Sequence, residues 1–333
     1  MDRNSSVKQM ISIYSIKHLD ISNIEYFNQY LEVKLSNQLV GKQNLFDDFC
    51  EYLSKYISLS NLKIYLQWNQ INDQIILSLG DTLAKLTSLS NLTLDIHWNK
   101  INHQGVIALV YGLSNCKNLS TFVYDIRKCQ IGPDYAHCLG SALGQIACLT
   151  KLDLNINESQ LGDKGISELF SFSENISNLT TLKLSLRRCQ VGSQGLSGLG
   201  QCLAKFSNLL NLRLYLVENK IDDPADLIFY LQSCTKLQIL EINLDINMIG
   251  PHSVKNLGSK LVNCTNIRSL NLILDRNMIG DIGAQSLSVA LKNCSHLFYL
   301  ELSIQQNRIF SDYNKNLRTQ LNKANRLVKK KII

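Results

Sequence analysis

Aliphatic residues along this chain recur in one fixed pattern. Taking the residue that opens each apolar stretch gives Leu59, Leu89, Leu119, Leu149, Leu179, Leu209, Leu237, Ile267 and Leu297. Seven of the eight steps are 30 residues and one is 28. The unit reads Leu-x-x-Leu-x-Leu-x-Leu-x-x-Asn-x-Ile-x-x-x-Gly, as in Leu209 to Ile221 and Ile267 to Gly280. Its first half alternates with period 2: Leu92, Leu94 and Ile96 are separated by Thr93 and Asp95. That is the signature of a strand with one buried face. Its second half spaces Val106, Leu109, Val110 and Leu113 at helical intervals. Asp163, Ser193 and Asp281 stand where helix caps are expected, and Pro133, Pro224 and Pro251 share that phase, where a first-turn proline is tolerated. The pattern predicts about nine strand-plus-helix units.

A period of this size with Leu-x-Leu strands resembles the leucine-rich repeat, in its ribonuclease-inhibitor-like subclass with a full helix per unit. The resemblance spans about residues 31–309. The extra x-Leu before the asparagine departs from the usual pattern and lengthens the strand. Strands stack at about 4.8 Å and helices at about 8–10 Å, so a stack of such units must curve. The expected fold is α/β: a curved leucine-rich-repeat solenoid, or horseshoe, with a parallel β-sheet on the concave face and helices on the convex face. Asn69, Asn99, Asn219, Asn247, Asn277 and Asn307 occupy the ladder position after the strand; Cys129, Ser159 and Cys189 replace it in the middle repeats. An inward asparagine there can satisfy backbone groups of the turn. Cys116, Cys234, Cys264 and Cys294 form a second column, read as small core residues.

The solenoid needs covered ends. Residues 1–30 are assigned to an N-terminal cap. Residues 31–58 form a degenerate repeat: Leu31, Val33, Leu35 and Leu39, then Leu45, Phe49 and Leu53 at helical spacing. Residues 310–333 are assigned to a basic C-terminal capping helix with Leu317, Leu321, Ala324, Val328 and Ile332 on one face and Lys315, Lys323, Arg326 and Lys330 largely off it. Repeats and caps account for the whole sequence.

Charge modifies this picture at one place. The formal net charge is +7, yet residues 308–333 alone hold eight basic residues and one acid. The remaining 307 residues are neutral overall, so the body is not a polycation and nucleic acid is not an expected partner. Lys329, Lys330 and Lys331 could also serve as a nuclear-import signal or an anionic docking patch. The 10 cysteines show no CxxC and no zinc-ligand spacing. No apolar run approaches a membrane span, and the N-terminus lacks the features of a signal peptide. Reduced thiols and a cytoplasmic location are expected, with a nuclear or ciliary one as the alternative. No Walker loop, HExxH or nucleophile elbow occurs. The Gly195–Gly200 stretch lies inside a repeat helix. No catalytic residue, cofactor or metal is predicted.

Candidate function therefore rests on the exposed positions of the strands. Both tryptophans, Trp68 and Trp98, fall in the column that Lys, Glu and Arg fill elsewhere, in adjacent repeats. With Tyr65 and His97 they make a candidate aromatic anchor, since aromatic residues and arginine dominate binding hot spots. A basic zone follows, with Arg127, Lys128, Lys183, Arg187, Arg188 and Arg213, beside Tyr215. Asp153 and Glu158 are placed to pair with it. An acidic zone of Glu241, Asp245, Asp275 and Glu301 comes later. Such segregation suits a bipolar protein surface; the basic zone lacks the interleaved aromatics of an RNA site. The resemblance implies a non-catalytic module that holds one protein partner, of unknown identity, on its concave face. Two other classes fit the same repeats: a GTPase-activating regulator like the repeat proteins acting on a small nuclear-transport GTPase, whose motif is not matched here, and a structural subunit of a ciliary or cytoskeletal assembly. Oligomeric state is not legible.

Overall fold

The computed structural model describes residues 11–13, 30–39, 43–129, 131–170, 173–310, 319 and 329–332. Two strands come first, β1 (Ile11–Ile13) and β2 (Tyr30–Lys34). The nine predicted strands follow: β3 (Asn61–Tyr65), β4 (Asn91–Asp95), β5 (Thr121–Asp125), β6 (Lys151–Asn155), β7 (Thr181–Ser185), β8 (Asn211–Tyr215), β9 (Ile239–Asn243), β10 (Ser269–Ile273) and β11 (Tyr299–Ser303). A further strand, β12 (Lys329–Ile332), ends the series. The helices between them are α1 (Gln43–Leu53), α2 (Asp73–Leu83), α3 (His103–Ser114), α4 (Pro133–Leu143), α5 (Gly162–Leu169), α6 (Ser193–Leu203), α7 (Ala225–Leu231), α8 (Pro251–Val262) and α9 (Gly280–Asn293).

All twelve strands form one open sheet in sequence order, and every pairing is parallel. Register follows the repeat, so equivalent residues face one another: Leu62 meets Leu92, Leu92 meets Phe122, and Phe122 meets Leu152. The inward strand positions pack on the apolar stripe of each helix. Leu62, Ile64 and Leu66 are buried against Ile76, Leu79 and Leu83, and the same layer runs on as a single core from Leu31 to Ile304. The 28-residue unit keeps its strand in register, Asn211 opposite Ile239, and has a shorter helix instead, α7 with 7 residues against 11 in α6. The degenerate first repeat follows the pattern: Leu31, Val33, Leu35, Leu39, Phe49 and Leu53 are buried.

The ladder position ties one turn to the next. Asn99 Nδ2 donates to the carbonyls of Leu66 (3.0 Å) and Ile96 (2.7 Å), while its Oδ1 accepts from the backbone N–H of Asn69 (3.1 Å) and Ile71 (2.8 Å). Asn219, Asn277 and Asn307 likewise both donate and accept between repeats. Cys129 and Cys189 substitute with one thiol donating to the preceding repeat's carbonyl, Ile96 and Ile156 respectively. Ser159 is buried, and its hydroxyl has no hydrogen-bond partner. The middle three rungs thus carry the fewest side-chain hydrogen bonds.

Several local expectations change. Asp163, Ser193 and Asp281 do not cap their own helices, because each lies inside the first turn. Asp163 and Asp281 instead accept backbone N–H groups of the following repeat, Gly192 (2.6 Å) and Phe310 (2.9 Å), and the Ser193 hydroxyl bonds Asp222 and accepts from Asp223 N–H. Asn72 and Asn102 are the side-chain caps, of α2 and α3. Pro133 and Pro251 begin their helices as expected; Pro224 sits one step earlier, at the cap of α7. At the far end, Lys329 to Ile332 are a strand on β11 and not the end of a helix. An uncovered sheet edge offers unpaired N–H and C=O groups, and backbone pairing there needs no particular side chains. The rest of the expected capping helix, Leu317, Leu321, Ala324, Val328, Lys315, Lys323 and Arg326, lies outside the described residues, as does most of the 1–30 cap.

Candidate functional site: the rim of the sheet

The residue before each ladder position has a left-handed backbone. Trp68 (φ 64), Trp98 (φ 57), Lys128, Glu158, Arg188, Glu218, Ile246, Arg276 and Gln306 all share it. Non-glycine residues adopt this region at a cost of roughly 1–2 kcal/mol. Here the conformation is held by the sheet, whose bonding runs past the strand ends: Trp68 N–H donates to His97 C=O (3.3 Å) and Trp98 N–H to Arg127 C=O (3.2 Å). The turn therefore lines up one side chain per repeat along the rim.

At one end that row is aromatic. The Trp68 and Trp98 rings stack with centroids 4.4 Å apart and planes 16° from parallel. They remain 49% and 42% exposed. His97 meets Trp68 edge-on at 6.4 Å, and the Lys128 ammonium lies 4.2 Å from the Trp98 centroid on its way to Glu158, at 2.9 Å. Asn37, Gln70 and the two indoles line a shallow depression. Tyr65 stands apart from this stack, its ring 5.9 Å from the Lys34 ammonium.

The basic zone is interlocked with acids. Arg127 grips Asp125 (2.9 Å), Lys183 grips Asp153 (2.8 Å), and Arg187 and Arg188 share Glu218 (2.8 and 2.5 Å). Arg213 reaches Glu241 (3.4 Å), which also accepts from the Tyr215 hydroxyl (2.8 Å). Arg188 first and Arg187 second hold the Glu218 carboxyl down at about 2. Burial, then the bond to Glu241, pushes the Tyr215 phenol up to about 12. The acidic zone is engaged as well: Arg276 pairs with Asp245, Asp275 accepts from Ser303 and from Gln305 N–H, and Glu301 accepts from Tyr299. The segregated charge read from the sequence is thus a set of local pairs. The ten predicted residues fall into separate groups: Trp68, His97, Trp98 and Lys128 in one stack, Arg127 on Asp125, Arg187 and Arg188 on Glu218, Arg213 and Tyr215 on Glu241, and Tyr65 by Lys34.

Sequence reading missed one grouping. Asp95 and Asp125 are register partners on β4 and β5, and His97 Nδ1 lies 2.5 Å from Asp95 Oδ1. Burial, then the neighbouring Asp95, raises the Asp125 carboxyl against the opposing pull of Arg127. The 30-residue step between the two aspartates was the available signal.

A strand-plus-helix unit stacked in register, tied at the turn by inward asparagine or cysteine, decides the architecture. The chain folds as a leucine-rich-repeat solenoid. No family model and no curated protein matches it. Among solved structures it is similar to an internalin C2 from Listeria monocytogenes, at 18% identity and a TM-score of 0.37 over 85% of this chain and 84% of that one. No described helix of the solenoid is long and apolar enough to cross a membrane.

Proposed function

We propose that this solenoid is a non-catalytic protein-interaction module whose anchor is the Trp68–Trp98 stack on the sheet rim. The supporting observation is the exposure of two large aromatic rings, held by a left-handed turn that places them side by side. A rigid aromatic pair loses little conformational entropy on binding and gains a large contact area. The aromatic end outranks the basic zone as the centre of the site. A partner's acid would have to compete there with internal acids already in contact, and exposed pairs of this kind contribute little on their own. Arg127, Lys128, Arg187, Arg188, Arg213 and Tyr215 then form the surrounding polar surface, setting orientation more than strength.

The test compares affinity capture from native extract by the wild type and by Trp68→Ala/Trp98→Ala, with matched thermal melts. A dominant protein partner lost from the variant is expected, with a drop of at least about 2 kcal/mol in binding free energy. Unchanged partners would make the tryptophans structural and end this reading.

A further inference from the structure

Three side chains capable of metal ligation come together at the ends of β4 and β5. Asp95 and Asp125 end neighbouring strands, and His97 follows two residues after Asp95. One ligand atom from each lies within 4.8 Å of the other two. The Asp95, Asp125 and His97 side chains are 15%, 17% and 13% exposed respectively, so the cluster is sheltered but not sealed from solvent.

The turn alone does not require the charge. Asp95 Oδ1 accepts from His97 N–H and Asp125 Oδ1 from Arg127 N–H, each at 3.3 Å. The same turn is made by neutral Asn155, which accepts from Asn157 N–H at 3.3 Å, and by Asn243, which accepts from Asp245 N–H at 3.0 Å. An amide oxygen is sufficient for the turn, so two adjacent carboxylates are negative charge beyond its needs. Arg127 matches one of them, through Nε to Asp125 Oδ1 (3.1 Å) and Nη2 to Oδ2 (2.9 Å), and Asn155 Nδ2 adds a bond to Oδ2 (3.0 Å). The other carboxylate has the imidazole as its neighbour.

We propose that Asp95, His97 and Asp125 bind a divalent metal ion of the zinc class. One nitrogen and two carboxylate oxygens form a mixed donor set suited to zinc, whereas calcium and magnesium favour oxygen alone. Tetrahedral coordination at about 2.0–2.1 Å places ligand atoms about 3.3 Å apart. The Asp95–His97 contact of 2.5 Å must open to that distance, and the Asp125 carboxylate must give up part of its bonding to Arg127 and Asn155 to join it. Three protein ligands would leave a fourth position for water or a partner's ligand. Coordination of Asp125 also loosens the hold of Arg127, so that guanidinium becomes available to solvent or a partner. This site does not depend on the tryptophans' role in binding.

The test is calorimetric titration of the full chain with zinc chloride after alkylation of the exposed Cys148 thiol, which could also take up zinc. One equivalent binding at micromolar or tighter affinity is expected, weakened at least roughly tenfold in Asp95→Asn/Asp125→Asn and in His97→Gln. The asparagine variant keeps the turn that Asn155 and Asn243 already make, so its melt should match the wild type. Trp68→Ala/Trp98→Ala should bind zinc unchanged. No uptake by the wild type at micromolar zinc, or equal uptake by the asparagine variant, would overturn the proposal.

Discussion

At the scale of single residues, burial decides chemical behaviour. Seven cysteines are buried, two are intermediate and Cys148 is exposed. Burial pushes the thiols of Cys50, Cys129, Cys189 and Cys264 up to about 12. The thiolate is the reactive form, so these groups are inert while the fold is intact. Titration with a thiol-specific chromogenic reagent at neutral pH should show one fast equivalent from Cys148 and slower reaction at Cys138 and Cys202. The other seven should react only in denaturant. Fast reaction of more than three thiols in the native protein would contradict this burial. The core role of the cysteine column was legible in its phase within the repeat. The ion pairs were not: sequence gives a column of charges, but which neighbour each side chain reaches depends on rotamers and on the left-handed turn.

At the scale of elements, the strand and its ladder residue act together. Removing the Asn99 amide leaves the Asn69 and Ile71 N–H groups without their acceptor, while the Leu66 and Ile96 carbonyls each keep one donor, Asn69 Nδ2 and Cys129 Sγ. Asn99→Ala should therefore destabilise by about 2–4 kcal/mol, since an unsatisfied buried group costs about 1–3 kcal/mol. Asn99→Cys should cost less, because cysteine already serves at 129 and 189. Urea midpoints compare the two, and equal losses would show that the thiol forms no useful rung. The strands β3 to β11 were legible because period-2 leucines leave one face to bury. The left-handed position was not, because Trp, Lys, Glu, Arg, Ile and Gln occupy it and no glycine marks it. Nor was β12, a lysine-rich segment whose pairing comes from the free edge of β11 more than from its own preference. The Asp95–His97–Asp125 grouping stood half visible: the repeat step aligned the aspartates, but only the turn brought the imidazole to them.

At the scale of the whole molecule, each repeat is stabilised by its neighbours, so the order of strong and weak interfaces matters as much as their sum. Asparagine rungs at 69 and 99 lie to one side of the Cys129, Ser159 and Cys189 rungs, and those at 219, 247, 277 and 307 lie to the other. Both tryptophans belong to the first block, so fluorescence excited selectively at tryptophan reads that block alone while far-ultraviolet circular dichroism reads helices of both. Urea unfolding followed by the two signals should give different midpoints, and superimposable curves would mean that the array unfolds as one unit. The same distribution of rungs sets how the curved body yields to force. A load that spreads or closes its two ends should be taken up first where neighbouring turns are least firmly tied, between β4 and β7. The solenoid should then behave as a spring of uneven stiffness, with the stacked indoles carried to one side of its compliant middle.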